Sequence, residues 1–249
     1  IPADVALEEV DASMVASYKT VKATSTAGNS RDIAEAARVL MQARTPVLHA
    51  GQGVLYAEAS AELVELAELL QIPVMTTLAG KSAFPENHPL SLGTGGAVMT
   101  GPVLHFLRQA DVVFGVGCSF TKHGMATNIP PGKTLIHATN DERDLNKNYA
   151  ADHPILGDAR LVLRQVIDAV KDLDPKRRVN GDSASEVRKI REAWLAEWTP
   201  KLTSDEVPMT PYRVIWEFMQ AVNPAEAIVT HDSGSPRDQL IPFYRATTP

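Results

Sequence analysis

Val112-Val113-Phe114-Gly115-Val116-Gly117 is a nearly uninterrupted apolar run that ends in glycine, and the segment before it carries Val103, Leu104, Leu107 and Ala110 at helical spacing. A strand apolar on both faces must be covered on both faces, which a parallel sheet between helices provides. The same unit recurs on either side. Upstream, Ile33, Ala36, Ala37, Leu40 and Met41 mark a helix starting near Ser30 and Asp32, followed by the short strand Pro46-Val47-Leu48-His49-Ala50 and the turn Gly51-Gln52-Gly53. A helix over about 57–70, with Leu63, Leu66, Ala67 and Leu70 as its apolar face, leads into the strand Pro73-Val74-Met75-Thr76-Thr77. Downstream, Lys133-Thr134-Leu135-Ile136-His137-Ala138 predicts another strand, and 159–170 the closing helix. Helices alternating with buried strands predict an α/β class: a Rossmann-like parallel sheet with helices on both faces, over residues 30–172.

The flanks read differently. Residues 1–29 open with an extended piece, Ile1-Pro2-Ala3-Asp4-Val5, and continue as a Thr-, Ser- and Ala-rich linker. The stretch 173–182 is charged and rich in turn formers, marking a connector that continues through a polar helix to 204. From 205 the pattern predicts the start of a second α/β domain. Pro211 opens a helix with Val214, Ile215, Phe218 and Met219 on its apolar face, and Ala227-Ile228-Val229-Thr230-His231 follows as a strand. The last residues form a helix-like segment with no evident packing partner. A first residue of Ile1 and this ending suggest a piece of a longer protein.

Composition excludes several roles. No apolar run approaches the roughly 20 residues needed to cross a bilayer, so no membrane function is expected. A net charge of -6 with no basic face argues against nucleic acid as a partner. Cys118 is the single cysteine, which rules out an intramolecular disulfide and fits a reducing, cytoplasmic setting. His88, His105, His123, His137 and His153 lie in separate segments with no spacing for a metal site or a triad, and no catalytic or metal-ligating residue is assigned. Cys118, following a buried strand, reads as a packed thiol.

In an open parallel sheet, ligands collect at the carboxyl ends of the strands. Those ends offer Gly51, Gln52 and Gly53, then Thr76, Thr77 and Leu78, then Gly117 and Ser119, and finally His137-Ala138-Thr139-Asn140-Asp141. Glycines there admit a pyrophosphate or a sharp turn, and the hydroxyls can hydrogen-bond. Gly51-Gln52-Gly53-Val54 is only part of a dinucleotide fingerprint, because Tyr56 stands where its third glycine or alanine belongs. Ordinary strand-to-helix turns explain the same glycines.

Read together, these loops resemble the central domain of the acetolactate synthase-like thiamine diphosphate enzymes. The resemblance is carried by Thr45-Pro46-Val47-Leu48-His49-Ala50-Gly51-Gln52-Gly53-Val54, by 72–93 with its core Gly80-Lys81-Ser82-Ala83-Phe84-Pro85-Glu86-Asn87-His88-Pro89, by 110–117, and by Gly157-Asp158 before a helix. Similarity continues into the flanks, where 1–5 looks like the last strand of the family's pyrimidine-binding domain. Asp232, Ser233, Gly234 and Ser235 look like the first loop of its diphosphate-binding domain, and a plain turn is the other reading of that loop. The resemblance implies a parent enzyme acting on a 2-oxo acid substrate with thiamine diphosphate and Mg2+, decarboxylating or carboligating it as a homo-oligomer. It also implies that the cofactor-activating glutamate and the metal-binding Gly-Asp-Gly motif lie outside these residues, leaving the chain alone inactive. In the family the central domain holds FAD, ADP or nothing. Here Ser119 stands where a flavin-contacting Arg is usual and Thr139 where a ribose-bonding acid is usual, and both departures count against FAD. A self-standing nucleotide-binding module and a structural, oligomer-forming domain are the other readings.

Overall fold

The computed structural model describes residues 1–20, 24–174 and 182–249. Before the sheet lie two short exposed helices, α1 (Ala3–Ala6) and α2 (Ala12–Ser17). The extended piece expected at 1–5 is therefore corrected: among the described residues no strand lies beside it to complete a ladder, and the backbone closes its hydrogen bonds locally, as in Ala6 N to Pro2 O at 3.1 Å.

The core then runs α3 (Ser30–Gln42), β1 (Val47–Ala50), α4 (Gln52–Tyr56), α5 (Ser60–Leu70), β2 (Val74–Thr76), β3 (Ser91–Thr94), α6 (Gly101–Gln109), β4 (Val112–Val116), β5 (Thr134–Thr139), β6 (His153–Leu156) and α7 (Ala159–Leu173). All six strands are parallel, in the order β3-β2-β1-β4-β5-β6. The chain builds outward from β1 to one edge, crosses over, and builds outward from β4 to the other, so the topological switch lies between β1 and β4.

Strand alternation explains why the runs are apolar throughout. Leu48, Val74, Phe114, Val116 and Ile136 face a core shared with α3, α5 and α7, while Val47, Met75, Val113 and Leu135 face a second core with α6 and, beyond it, Val187. Fully burying each such side chain contributes about 2 kcal/mol. Caps fix the helix starts: the Asn29 side chain accepts from Arg31 N at 2.9 Å, and Asp158 accepts from Arg160 N and Leu161 N at 3.0 and 3.2 Å. The helix expected over about 57–70 forms as α5, and Glu58, whose φ is 51°, separates it from the short α4 that follows the Gly51 turn.

After residues 175–181, which lie outside the described residues and with them that part of the predicted connector, α8 (Ser183–Leu202) and α9 (Pro211–Ala221) follow. The strand expected at 227–231 does not form. It has no neighbouring strand among the described residues, and Ile228 is 97% exposed. The closing helix α10 (Ser235–Phe243) does find partners. Leu240, Ile241 and Phe243 are buried, and the Phe243 ring stacks on Trp194 of α8 at 5.4 Å. Among the described residues no helix is long and apolar enough to cross a membrane.

Candidate ligand cleft at the sheet switch point

A cleft of ≈ 500 Å³ opens over the carboxyl ends of β1, β2, β4 and β5, the position where the switch parts the connections to either side. Of the residues selected from sequence, Gln52, Gly53, Thr77, Leu78, Gly117 and Ser119 line it. Gly51 and Thr76 lie beneath it: Gly51 packs on Gly117 and Cys118, and the Thr76 hydroxyl meets Thr94 at 3.3 Å. Asp158 is elsewhere, as the cap of α7. Asp232, Ser233 and Gly234 form an exposed turn, in which Asp232 Oδ1 accepts from Ser233 N at 2.7 Å, and Ser235 opens α10.

The glycines serve one another. A Cβ on Gly51 would collide with Gly117 O and stand 2.6 Å from Cys118 Cα; one on Gly117, whose φ is +61°, would stand 2.6 Å from Val54 N. Their N–H groups are spent inside the chain: Gly51 on Val116 O (2.9 Å), Gly53 on Gly117 O (2.8 Å), Gly117 on Ala138 O (2.9 Å) and Thr77 on Ala50 O (2.8 Å). Gly51→Ala is thus expected to cost about 2 kcal/mol by forcing β1 and β4 apart, read as a lowered urea midpoint at unchanged slope. A variant as stable as the wild type would show that the strand ends yield freely.

Three rings pack at tilted angles in the floor of the cleft. Phe120, held at φ +45°, lies between His49 at 5.7 Å and His137 at 4.6 Å. His137 Nε2 lies 2.8 Å from Cys118 O, whereas neither ring nitrogen of His49, 3% exposed, has a partner among the described residues. The Thr127 hydroxyl, on a residue 7% exposed, is likewise unpaired. Burial, and then the neighbouring His137, push the His49 pKa down to about 4, so its ring is neutral at pH 7. Burial also lowers His137 and pushes the Cys118 thiol up to about 12, which makes Cys118 an inert packed thiol rather than a nucleophile. Ser119 Oγ accepts from Thr121 at 2.8 Å, and Thr139 Oγ1 accepts from Asp141 N at 3.2 Å. At the rim, Arg143 holds the Asp141 carboxyl down to about 2.

His49, Phe120 and Thr127 are site residues that sequence reasoning does not single out. The one local signal is a histidine inside a strand whose other residues are buried and apolar, Val47-Leu48-His49-Ala50. Sequence reasoning also misses a buried cluster behind β2. Lys81 Nζ donates to Glu86 at 2.6 and 2.7 Å and to Ile241 O at 3.2 Å, and Glu86 accepts from Ala246 N at 2.8 Å. Among the described residues no three His, Cys, Asp or Glu side chains gather as a metal-ligand set. The 232–235 turn thus has no ligand set beside it for a metal-bound diphosphate, and no catalytic step is assigned to it.

The parallel strand order and the switch point define a Rossmann-like α/β domain. Residues 33–166 match the family described as thiamine pyrophosphate enzyme, central domain, and the chain belongs to that family. It is similar to the "Probable acetolactate synthase large subunit" of Methanococcus aeolicus, 32% identical over 90% of this chain and 39% of the relative. The protein of the same description from Methanocaldococcus jannaschii is 33% identical over 90% of this chain and 38% of its own length. The "Acetolactate synthase" of Mycobacterium bovis is 39% identical over 56% of this chain and 23% of its length. The chain thus spans under two-fifths of the length of these relatives.

Proposed function

We propose that this chain is the central part of a thiamine diphosphate- and Mg2+-dependent enzyme that decarboxylates a 2-oxo acid and carboligates or protonates the product. In this reading residues 30–172 are the central domain, 173–204 join it to the start of the diphosphate-binding domain at 205–249, and 1–29 lead in from the pyrimidine-binding domain. The parent is a cytoplasmic homo-oligomer. The observation that carries the reading is the similarity to acetolactate synthase subunits, which runs over 90% of the chain and so reaches past the central sheet into both flanks.

Thiamine diphosphate, when bound, supplies the electron sink for loss of carbon dioxide from a 2-oxo acid. What these residues contribute is placement. The Lys81–Glu86 cluster ties the end of α10 and Ala246 to the β2–β3 connection, and so fixes where the 232–235 turn stands relative to the sheet.

Thiamine diphosphate-dependent release of carbon dioxide from pyruvate and related 2-oxo acids tests the reading. Release is expected from the complete polypeptide encoded by the gene and not from the 249 residues alone. A complete polypeptide without the cofactor dependence, or turnover by this chain by itself, would overturn it.

A further inference from the structure

A second cavity, of ≈ 430 Å³, lies where α8, α9 and α10 come together against β3, the edge strand of the sheet. It shares no lining residue with the cleft at the switch point. Leu92, Trp194, Leu202, Trp216, Met219 and Phe243 give it walls that are apolar and in part aromatic. Packing holds one of these rings in place without a ligand. Trp194 lies so close to Gly101 that a Cβ there would collide with it, and its ring stacks on Phe243 at 5.4 Å and 9°. An aromatic guest packs against such rings offset or edge-on.

Two guanidiniums border this apolar space. Arg191 of α8 and Arg245, two residues past α10, both line the cavity, and the one other charged residue that lines it is Glu86. The Glu86 charge is already balanced, because Lys81 Nζ donates to both of its oxygens, at 2.7 and 2.6 Å. Among the described residues neither arginine has a carboxylate within ion-pair distance. There, Arg191 uses one of its five N–H donors, on Ser91 O, and Arg245 uses none. Burial, and then the nearby charge of Arg245, lowers the Arg191 pKa, while Glu86 holds it up. Two like charges beside one apolar space repel each other, and an anion between them would relieve that repulsion. The planar fork of arginine matches a carboxylate through parallel, charge-assisted hydrogen bonds.

We infer that this cavity binds a small aromatic carboxylate, whose ring lies among Trp194, Trp216 and Phe243 and whose carboxylate pairs with Arg191 and Arg245. The volume is within the range of small-molecule pockets and suits a compound of one ring and a short acid arm. The site is separate from the glycine-ended loops, so this inference and the proposed catalytic role fail independently.

Titration of the 249-residue chain with 3-phenylpropionate, followed by calorimetry and by tryptophan fluorescence, tests it, since two of the chain's three tryptophans, Trp194 and Trp216, line the cavity. The expected result is saturable binding that shifts the emission and weakens as salt is raised. 3-Phenylpropionamide keeps the ring and loses the charge, whereas propionate keeps the charge and loses the ring; each should bind about tenfold more weakly or worse. Arg245→Gln, at an exposed position, should weaken binding of the acid about tenfold and close most of its gap to the amide. Trp216→Leu should weaken acid and amide alike, with thermal melts confirming that both variants fold. No saturable binding of 3-phenylpropionate, equal affinity for acid and amide, equal affinity for acid and propionate, or wild-type affinity in Arg245→Gln would each overturn the inference.

Discussion

Lys81→Met is expected to destabilise the fold by about 4 kcal/mol, because it strands a buried carboxylate. The Lys81 and Glu86 side chains are 17% and 5% exposed, and their contact is 2.6 Å. Glu86 also accepts from Thr94 Oγ1 at 3.0 Å and from Ala246 N at 2.8 Å, so three donors of different origin hold one carboxylate. Burial alone pushes the Lys81 ammonium down, and Glu86 draws it back toward the charged form. Removing the cation leaves the carboxylate desolvated with only neutral donors. Urea unfolding should show the loss, and hydrogen exchange should show earlier opening of the amides at 240–246, since Lys81 also donates to Ile241 O. The double change Lys81→Met with Glu86→Leu removes both charges and should recover at least half of the loss. A single variant within about 1 kcal/mol of the wild type would mean that water reaches Glu86 and that the pair behaves as a surface ion pair.

What could be read from the sequence, and what could not, follows from the range over which each signal acts. The central strands and amphipathic helices are legible because their periodicity is local: Val112–Val116 is buried at every position, and α7 places Val162, Leu163, Val166, Ile167 and Val170 inward. The edge strands are not legible. β3 contains Gly93 at φ +90° and shifts register against β2, while β6 carries Pro154 and two exposed positions, so neither shows the apolar run of a central strand. Ile228-Val229-Thr230 has strand-forming residues, but a strand requires a neighbour and none lies beside it among the described residues. The cleft divides in the same way. Its glycine-ended loops announce themselves by composition, whereas Thr127, 78 positions from His49, lines the same cleft only through the fold. Lys81 and Glu86 look like ordinary loop charges until α10 and Ala246 close over them.

Acid should weaken the fold through His49 well before the carboxylates are exhausted. Its folded-state pKa is about 4 against 6.5 for the free side chain, so between these values the unfolded chain binds the proton and the folded chain does not. The stability associated with the neutral ring is therefore complete above about pH 6.5, declines as pH falls, and is lost as pH passes through about 4. A difference of this size corresponds to on the order of 3 kcal/mol. His137 titrates in the same sense, since burial lowers it too, although its contact with Cys118 O and the charge of Asp144 hold its shift back. Carboxylates held low in the folded state, such as Asp111 among the backbone N–H groups of Arg44 and Thr45, add their own loss at lower pH. The His49 share is isolated by difference. Urea midpoints of the wild type and His49→Gln, compared between pH 7.5 and 4.5, should converge as pH falls, because only the wild type loses the histidine contribution. Parallel curves would mean that the imidazole takes up its proton without cost, and hence that the wall of the cleft around it is wet.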